Sequence, residues 1–168
     1  VPIKLGLDDA ALASVAVDLH AMPGVVVDAQ LTRDYPYGEA LSHVLGYVGR
    51  VSADDLDELD PERYRGTLHI GKVGVEKRYE PLLHGKPGFH HIETNAHGRV
   101  LRVLEKQAPE PGKNLRLYLD LDLQREAVAA LGDQRGAIVA LDPATGGVLA
   151  MVSNPSYDAN LFVEGISY

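Results

Sequence analysis

Apolar residues recur every three to four positions in two segments of the chain, and this spacing predicts two amphipathic helices. The first segment follows Asp8, a good N-cap, and stops at Pro23 and Gly24. The second follows Asp120, which also suits an N-cap, and stops at Gly132. The apolar positions that form the two patterns are Leu12, Val15, Ala16, Leu19, Leu123, Ala127, Val128 and Leu131. We therefore expect one helix after each cap.

Apolar residues take every second position in two other segments, 25–32 and 115–119. This is the period of a half-buried strand, because successive side chains of a strand point to opposite faces. The first of these segments directly follows the predicted helix, so the period switches there from helix to sheet. We expect a strand in each segment.

Two further pairs of apolar segments are separated by short turn-forming loops, which predicts β-hairpins. The first pair, 89–94 and 99–104, flanks the four-residue loop 95–98. The second pair, 135–142 and 148–153, flanks a turn rich in proline and glycine. Two strands cannot bury both of their faces alone. We therefore expect the second hairpin to leave apolar side chains exposed or to cover them with another chain, with self-association or local disorder as the result.

Shorter signals lie between the first helix and the first hairpin. Residues 35–38 predict a turn, 39–45 a short helix and 47–51 a strand. Ser52 and Asp55 have the spacing of a capping box, which predicts the start of another helix.

That helix should end before Asp60 and Pro61, because the residue before a proline disfavours helical geometry. A further helix face follows, and Pro81 should kink or shorten it, with Gly85 near its end. Its apolar positions are Val75, Tyr79, Leu82 and Leu83.

The strongest linker signal in the chain is the segment 109–112, which holds two prolines and a glycine. We therefore place a domain boundary at about residue 112, between a first region, 1–112, and a second region, 113–168. The mixture of short helices with antiparallel hairpins predicts an α+β fold.

Charge and cysteine content exclude some classes of function. A formal charge of −8 and a pI near 5.3 argue against a nucleic-acid-binding protein, which would present a basic face. The absence of cysteine excludes disulfides, a thiol nucleophile and a cysteine-ligated metal. This composition suits an exported bacterial protein.

The length of 168 residues, with 45% hydrophobic content, allows one compact domain or a small domain with part of a second. No apolar stretch approaches the roughly 18 residues that a membrane span needs, and no signal segment opens the chain. Because the chain begins at Val1 without a methionine, we expect it to be cut from a longer protein.

Residues 66–73 nearly match a phosphate-binding loop, with two glycines five positions apart and a lysine after the second. Such a loop needs a serine or threonine at the next position to coordinate Mg²⁺, and Val73 has no side-chain oxygen. We therefore interpret the segment as a structural turn that leads into a helix at Gly74.

Four residues, His90, His91, Glu93 and His97, could supply ligands to zinc. On a strand, His91 and Glu93 share one face while His90 points to the other, so a set of three ligands requires His97 to fold back from the turn. We expect solvent-facing histidines instead, and assign no metal or cofactor site.

Ser42 and His43 are adjacent, which suggests a nucleophile with a general base. Neighbouring residues on a helix point about 100° apart, so the pair is poorly placed for that chemistry. We assign no catalytic residue here.

Residues 140–167 resemble the entry into the transpeptidase domain of class B penicillin-binding proteins, and most closely the cell-elongation type, the penicillin-binding protein 2 group. The resemblance runs in order from about residue 20 to residue 168. It implies a non-catalytic, dimerisation-type pedestal over 1–112 and the incomplete beginning of a transpeptidase domain over 113–168. The segments that resemble the pedestal are 35–38, 43–49, 70–80, 83–85 and 95–102.

The catalytic motifs of that family, Ser-x-x-Lys, Ser-x-Asn and Lys-Thr-Gly, are absent. Five of the six serines have no lysine three residues on, and Ser167 lies too near the end to be tested. These five are Ser14, Ser42, Ser52, Ser153 and Ser156. The resemblance therefore transfers no catalytic residue. We expect the longer protein to be a serine-type D,D-transpeptidase and this chain alone to be inert.

The resemblance also implies a role in building the cell wall. The chain would position the catalytic domain while peptidoglycan stem peptides are cross-linked during cell elongation. Its implied partners are a RodA-type glycan polymerase and an MreC-type scaffold, on the periplasmic side of the bacterial inner membrane, with a membrane anchor upstream. Two alternatives remain open: a stand-alone, non-enzymatic periplasmic binding module, and a division-type class B penicillin-binding protein.

Overall fold

The computed structural model describes residues 3–4, 6–29, 31–97 and 99–164. The helices of these residues are α1 (Asp9–Asp18), α2 (Gly38–Leu45), α3 (Ala53–Glu58), α4 (Gly74–Arg78), α5 (Glu80–Leu83), α6 (Leu121–Leu131) and α7 (Asn160–Glu164), with a 3₁₀ turn at Leu19–Ala21. The strands are β1 (Val48–Arg50), β2 (His69–Gly71), β3 (Phe89–Thr94), β4 (Val100–Gln107), β5 (Gly136–Leu141) and β6 (Val148–Asn154). None of the helices in this part of the chain has the length and apolar character that a bilayer crossing requires.

The strands pair in sequence order into two-stranded antiparallel sheets: β1 with β2, β3 with β4, and β5 with β6. Short helices lie between these pairs. The predicted α+β fold is therefore confirmed.

Side-chain caps start the helices where the sequence predicts them. The Asp8 carboxylate accepts a hydrogen bond from the amide of Ala11 at 2.7 Å, at the start of α1. Ser52 and Asp55 form the reciprocal capping box of α3, and Asp120 accepts two amides of the first turn of α6. Each cap satisfies amides that have no partner inside the helix, so the local sequence determines the start.

The β5–β6 hairpin is present and has two different faces. Ala150 and Val152 of β6 are buried, and α6 packs against this strand. On the other face, Val139 and Met151 lie opposite one another and are 55% and 43% exposed. The hairpin thus leaves apolar side chains exposed, as expected.

The β3–β4 hairpin is also confirmed, and β4 extends three residues beyond the predicted end at 104. Gly98, in the predicted loop, lies outside the described residues.

Two predicted strands are wrong. The described residues of 25–32, which do not include Gln30, and the segment 115–119 are irregular and pair with no strand in the described part of the chain. Segment 115–119 leads to the amide of Asp120, which donates to the carbonyl of Leu149 in β6 at 2.8 Å. Alternation of side chains favours a strand only where a neighbouring strand completes the hydrogen-bond ladder.

Pro81 divides the predicted helix face into two short helices. Helix α4 ends at Arg78, Tyr79 adopts non-helical geometry, and Pro81 lies in the first turn of α5. A proline has no amide hydrogen to continue the upstream helix, but it is well tolerated in a first turn. The helix is therefore shortened, as predicted, and restarted.

A buried cluster joins elements that are far apart in sequence. Tyr35, Val48, Ala159 and Val163 form it, where α2, β1 and α7 meet. Because Ala159 and Val163 come from the far end of the described chain, this core ties the two predicted regions together.

Candidate functional site

The junction is the name used below for the contact between residues 33–48 and residues 154–163, together with α4 and α6, which pack against it. Within the described residues, it holds the buried polar side chains Ser42, Glu76 and Gln124. Tyr35 lies at its centre and is 5% exposed. Its hydroxyl donates to Oε1 of Glu76 at 3.2 Å and accepts the backbone amide of Val48 at 2.9 Å. One side chain therefore links the turn before α2 to β1 and α4.

Glu76 is a buried carboxylate, and its charge is balanced by Arg33. Nε of Arg33 lies 2.9 Å from Oε1, and Nη2 donates to Oε2 at 3.2 Å. Burial first, and then the negative charge of Glu76, raise the pKa of Tyr35 well above its usual range. Tyr35 therefore stays a neutral phenol, which can donate to the carboxylate at any physiological pH.

Asn160, the first residue of α7, holds the backbone of Tyr35 from the other side. Its Oδ1 accepts the amide of Tyr35 at 2.9 Å, and its Nδ2 donates to the carbonyl of Tyr35 at 3.0 Å. The same Nδ2 also donates to Oδ1 of Asp158 at 2.9 Å. The side-chain amide thus makes the two hydrogen bonds that the backbone of a neighbouring strand would make. It fixes α7 against the turn before α2.

Gln124, on α6, makes the second polar link of the junction and is fully buried. Its Nε2 donates to the carbonyls of Ala40 at 2.6 Å and Met151 at 2.9 Å, and its Oε1 accepts the amide of Met151 at 2.8 Å. All polar atoms of this side chain are used, which a buried amide requires. Helices α2 and α6 and strand β6 are thereby held in one arrangement.

Two glycines of the junction lie where a neighbouring group leaves no room for a side chain. A Cβ added to Gly38 would lie 2.2 Å from Oδ1 of Asp158. At Gly46, with φ of 75°, a Cβ would lie 2.0 Å from the carbonyl oxygen of Val73. A larger residue at Gly46 would push the backbone of Val73 away, and one at Gly38 would displace the Asp158 carboxylate.

A group of aromatic rings covers the junction on its solvent side. Tyr47 stacks on Phe162 with centroids 4.1 Å apart, and Tyr157 packs edge-on against Phe162 at 5.3 Å. His43 packs edge-on against Tyr157 at 5.2 Å, and its Nε2 lies 3.0 Å from the carbonyl oxygen of Pro155. These contacts again join α2 and β1 to the segment after β6.

The junction has the character of a structural connection and lacks that of a reaction centre. The Ser42 hydroxyl is buried and donates to the carbonyl of Glu39 at 3.2 Å, and Ser156 donates to the same carbonyl at 2.6 Å. Within the described residues, no hydrogen bond joins a serine hydroxyl to a lysine or a histidine. Ser167, which lies beyond residue 164, is outside this description.

The candidate zinc ligands do not converge where the structure describes them. His91 pairs with Glu105 across the hairpin at 3.2 Å, and Glu93 pairs with Arg102. Over the described ranges, no group of three or more histidine or acidic side chains could hold a metal ion.

The near-match to a phosphate-binding loop forms β2 and the turn before α4. The amide of Gly71 donates to Oε2 of Glu80 at 2.8 Å. A carboxylate of the chain itself therefore already accepts the hydrogen bond that a bound phosphate would need. Helix α4 begins at Gly74, as predicted for a structural turn.

Sequence reasoning missed Asn160, Gln124 and Gly38 as functional residues. The available signal was that Tyr35 and Asn160 both lie in segments that resemble the known family, 35–38 and 140–167. Their pairing could not be read from the spacing, because 125 residues separate them.

Two family models match the chain. The "Penicillin-binding Protein dimerisation domain" matches residues 1–117, and the "Penicillin binding protein transpeptidase domain" matches residues 136–167.

Curated relatives carry the name peptidoglycan D,D-transpeptidase MrdA. The relative from Acinetobacter baumannii is 48% identical over 168 residues, which cover 100% of this chain and 25% of that protein. The relative from Escherichia coli K12 is 45% identical over 171 residues, which cover 99% of this chain and 27% of that protein. The chain thus spans about a quarter of the length of the curated relatives it matches.

Solved structures of penicillin-binding protein 2 share the fold. A complex of this protein with MreC from Helicobacter pylori gives a TM-score of 0.86 at 36% identity, over 98% of this chain and 31% of that chain. The Pseudomonas aeruginosa protein in complex with WCK 5153 gives 0.71 at 48% identity, over 85% of this chain and 28% of that chain. The resemblance to the penicillin-binding protein 2 group is therefore confirmed. The chain belongs to the penicillin-binding protein family and contains its dimerisation domain together with the start of its transpeptidase domain.

Proposed function

We propose that this chain is the non-catalytic part of an elongation-type peptidoglycan D,D-transpeptidase. The whole protein would cross-link stem peptides by acyl transfer through a serine outside this chain, and would maintain rod shape. The chain itself would set the position of the catalytic domain and contact partner proteins. The names of the relatives support the activity, and the absence of the three catalytic motifs supports the passive role of this chain.

The junction is the single observation that carries the positioning role. Asn160 and Gln124 connect the beginning of the transpeptidase region to the pedestal through directional hydrogen bonds to backbone groups. Such bonds fix orientation more narrowly than apolar packing does, because they weaken steeply when the donor angle changes. A pedestal attached in this way can hold a catalytic domain at a fixed distance and orientation.

The proposed domain boundary lies at about residue 112, within a segment that docks on the pedestal. Lys86 and Glu110 exchange backbone hydrogen bonds of 2.9 and 3.0 Å, and the amide of Lys113 donates to the carbonyl of Leu82 at 2.8 Å. A docked linker keeps the two regions from turning independently.

The partners of the proposed assembly are an MreC-type scaffold and a RodA-type glycan polymerase, on the periplasmic side of the inner membrane. The solved complex of the Helicobacter pylori relative with MreC supports the first partner. The second partner and the location rest on the resemblance to the elongation type.

Depletion of the gene, followed by complementation, tests this proposal. Rounded cells after depletion are the expected result for an elongation enzyme, and filaments would assign the protein to division instead. A full-length copy should restore the rod shape, and the soluble periplasmic part of the MreC-type scaffold should co-purify with it. Normal cell shape after depletion would favour the stand-alone binding module.

A further inference from the structure

A groove of about 520 Å³ lies beside the junction, between α2, α4, α5 and segment 112–117. Its volume is in the range of sites that bind small ligands, about 300–1,000 Å³. Its apolar wall consists of half-buried aliphatic side chains, namely Leu45, Val75, Leu83, Leu115 and Leu117. The groove can therefore hold an aliphatic group.

The polar lining of the groove consists mostly of hydrogen-bond donors. Lys113 and Asn114 line it with exposed side chains, and neither side chain has a hydrogen bond or ion pair to another described residue. Arg33 uses Nε and Nη2 to hold Glu76, which leaves the donors of Nη1 for another acceptor. The one acid in the lining, Glu76, is thus already neutralised by Arg33. The lining therefore carries a net positive charge, from Lys113, in a chain whose formal charge is −8.

We propose that this groove binds a short aliphatic peptide through its free α-carboxylate. The carboxylate would lie among Lys113, Asn114 and the free edge of the Arg33 guanidinium. The aliphatic side chains would lie against the leucine and valine wall. A lining that combines free donors with aliphatic side chains matches a peptide of about two residues with a free carboxylate, because a carboxylate accepts from several donors at once.

The position of the groove links it to the junction. Arg33 holds Glu76, Glu76 accepts from the hydroxyl of Tyr35, and Asn160 holds the backbone of Tyr35. A bound carboxylate would draw Arg33 toward the groove. Because Arg33 is joined to Tyr35 through Glu76, binding would act on the link between the two regions.

Isothermal titration of the natural full-length protein tests the proposal. The probes are N-acetyl-alanyl-alanine in its L,L and D,D forms, together with the matching C-terminal amides. The protein is first saturated with benzylpenicillin, so that an acyl-accepting serine, if present, cannot contribute binding. The D,D dipeptide is included because peptidoglycan stem peptides end in D-alanine. This choice of probe is the only part of the experiment that rests on the proposed function.

We expect saturable binding of a free-acid dipeptide and at least tenfold weaker binding of its amide. Lys113→Ala should weaken binding at least tenfold, and Lys113→Glu should abolish it. Lys86→Ala should leave it unchanged, because Lys86 is an exposed lysine that pairs with Glu110 outside the groove. Preference for the D,D form would identify a stem-peptide terminus as the ligand class, and preference for the L,L form a protein C terminus.

Absence of binding, or equal binding by the acid and the amide, would overturn the groove proposal, as would a Lys113→Ala variant that binds normally. None of these outcomes depends on the proposed transpeptidase activity, which is measured separately by penicillin labelling before the titration.

Discussion

Asn160 pairs with both backbone polar groups of Tyr35, through bonds of 2.9 and 3.0 Å, although 125 residues separate the two. The side-chain amide accepts from the N–H and donates to the C=O of the same residue, as the backbone of a neighbouring strand would do. It joins the end of the described chain to the turn before α2. The contact links the pedestal directly to the beginning of the transpeptidase domain.

Removal of this side chain should loosen the junction. Asn160→Ala removes both bonds and should lower the free energy of unfolding by about 1–3 kcal/mol, because the backbone groups of Tyr35 lose their partners. Asn160→Asp keeps the acceptor but loses the donor and places a charge near Asp158, so it should not rescue stability at neutral pH. Urea unfolding measures the loss, and hydrogen exchange should show faster exchange at Tyr35. Asn114→Ala is the control, since its exposed side chain has no such bonds; an equal loss there would contradict the assignment.

The close approach at Gly38 leads to a second prediction. Gly38→Ala would place a methyl group 2.2 Å from Oδ1 of Asp158, so this carboxylate must turn away and give up the hydrogen bonds that it accepts from Asn160. Strain of this kind typically costs about 1–3 kcal/mol, which a shift of the thermal midpoint would reveal. Gly136→Ala is the matched control, because its new methyl group would meet only Leu131 at an ordinary 3.5 Å. Equal thermal midpoints for the two variants would show that the close approach of Gly38 to Asp158 does not limit the residue at this position.

Gln124 should tolerate almost no change of hydrogen-bonding character. Gln124→Glu would turn an oxygen toward the carbonyls of Ala40 and Met151, which now accept hydrogen bonds from the amide nitrogen. An unpaired buried charge of this kind costs about 3–5 kcal/mol. We expect a loss of that order at pH 7 that becomes smaller at acidic pH, where the carboxyl is protonated and can donate. Gln134→Glu, an exposed change of the same chemistry, should be nearly neutral; wild-type stability of Gln124→Glu at pH 7 would contradict the buried network.

Asp55 should make stability depend on pH in the acidic range. Its hydrogen bond from Lys72, and next the one from Ser52, lower the pKa of the carboxyl from 3.8 to about 2. Because the folded pKa is the lower one, the stabilisation is fully present above about pH 4 and is lost as the pH falls through about 2. Because both side chains of the Asp55–Lys72 pair are partly exposed, protonation of Asp55 should lower the free energy of unfolding by only about 1 kcal/mol. Unfolding of wild type and Asp55→Asn should therefore differ above pH 4 and converge near pH 2, whereas Asp57→Asn should follow the wild type throughout.

The exposed face of the β5–β6 hairpin should make the 168-residue chain self-associate. Val139 and Met151 lie opposite one another on that face, and an apolar sheet face in water favours contact with another chain. Sedimentation should show association that depends on concentration, and a double change of both residues to threonine should reduce it. A change to threonine of Leu56, an exposed apolar residue of α3 that lies on no sheet, should not. A monomer with strong hydrogen-exchange protection throughout β5 and β6 would show that the hairpin is self-sufficient and that the proposed boundary is wrong.

The sequence predicts those parts of the fold that depend on neighbouring residues. Asp8, the Ser52 capping box and Asp120 start helices, and Pro81 divides one, because each acts within a single turn of backbone. The two hairpins are also predicted by neighbouring residues, because each pair of apolar segments flanks a short turn. Segments 25–32 and 115–119 show the limit of this reasoning, since a strand also needs a partner strand, which alternation does not supply.

The junction could not be predicted for the same reason. Asn160 and Gln124 bind backbone carbonyls and amides, and a backbone group has no sequence signature that identifies its distant partner. Gly38 is needed only because Asp158 approaches it, and this is a property of the assembled chain. The family resemblance indicated which segments matter, while the contacts explain why.

Labelling with a fluorescent penicillin is the most direct test of the central claim, that this chain positions a catalytic domain and has no catalytic serine of its own. The natural full-length protein and the 168-residue chain are labelled side by side under the same conditions. We expect covalent labelling of the full-length protein and none of the short chain. Labelling of the short chain would mean that one of its own serines is a nucleophile, and absence of labelling in both would remove the transpeptidase assignment.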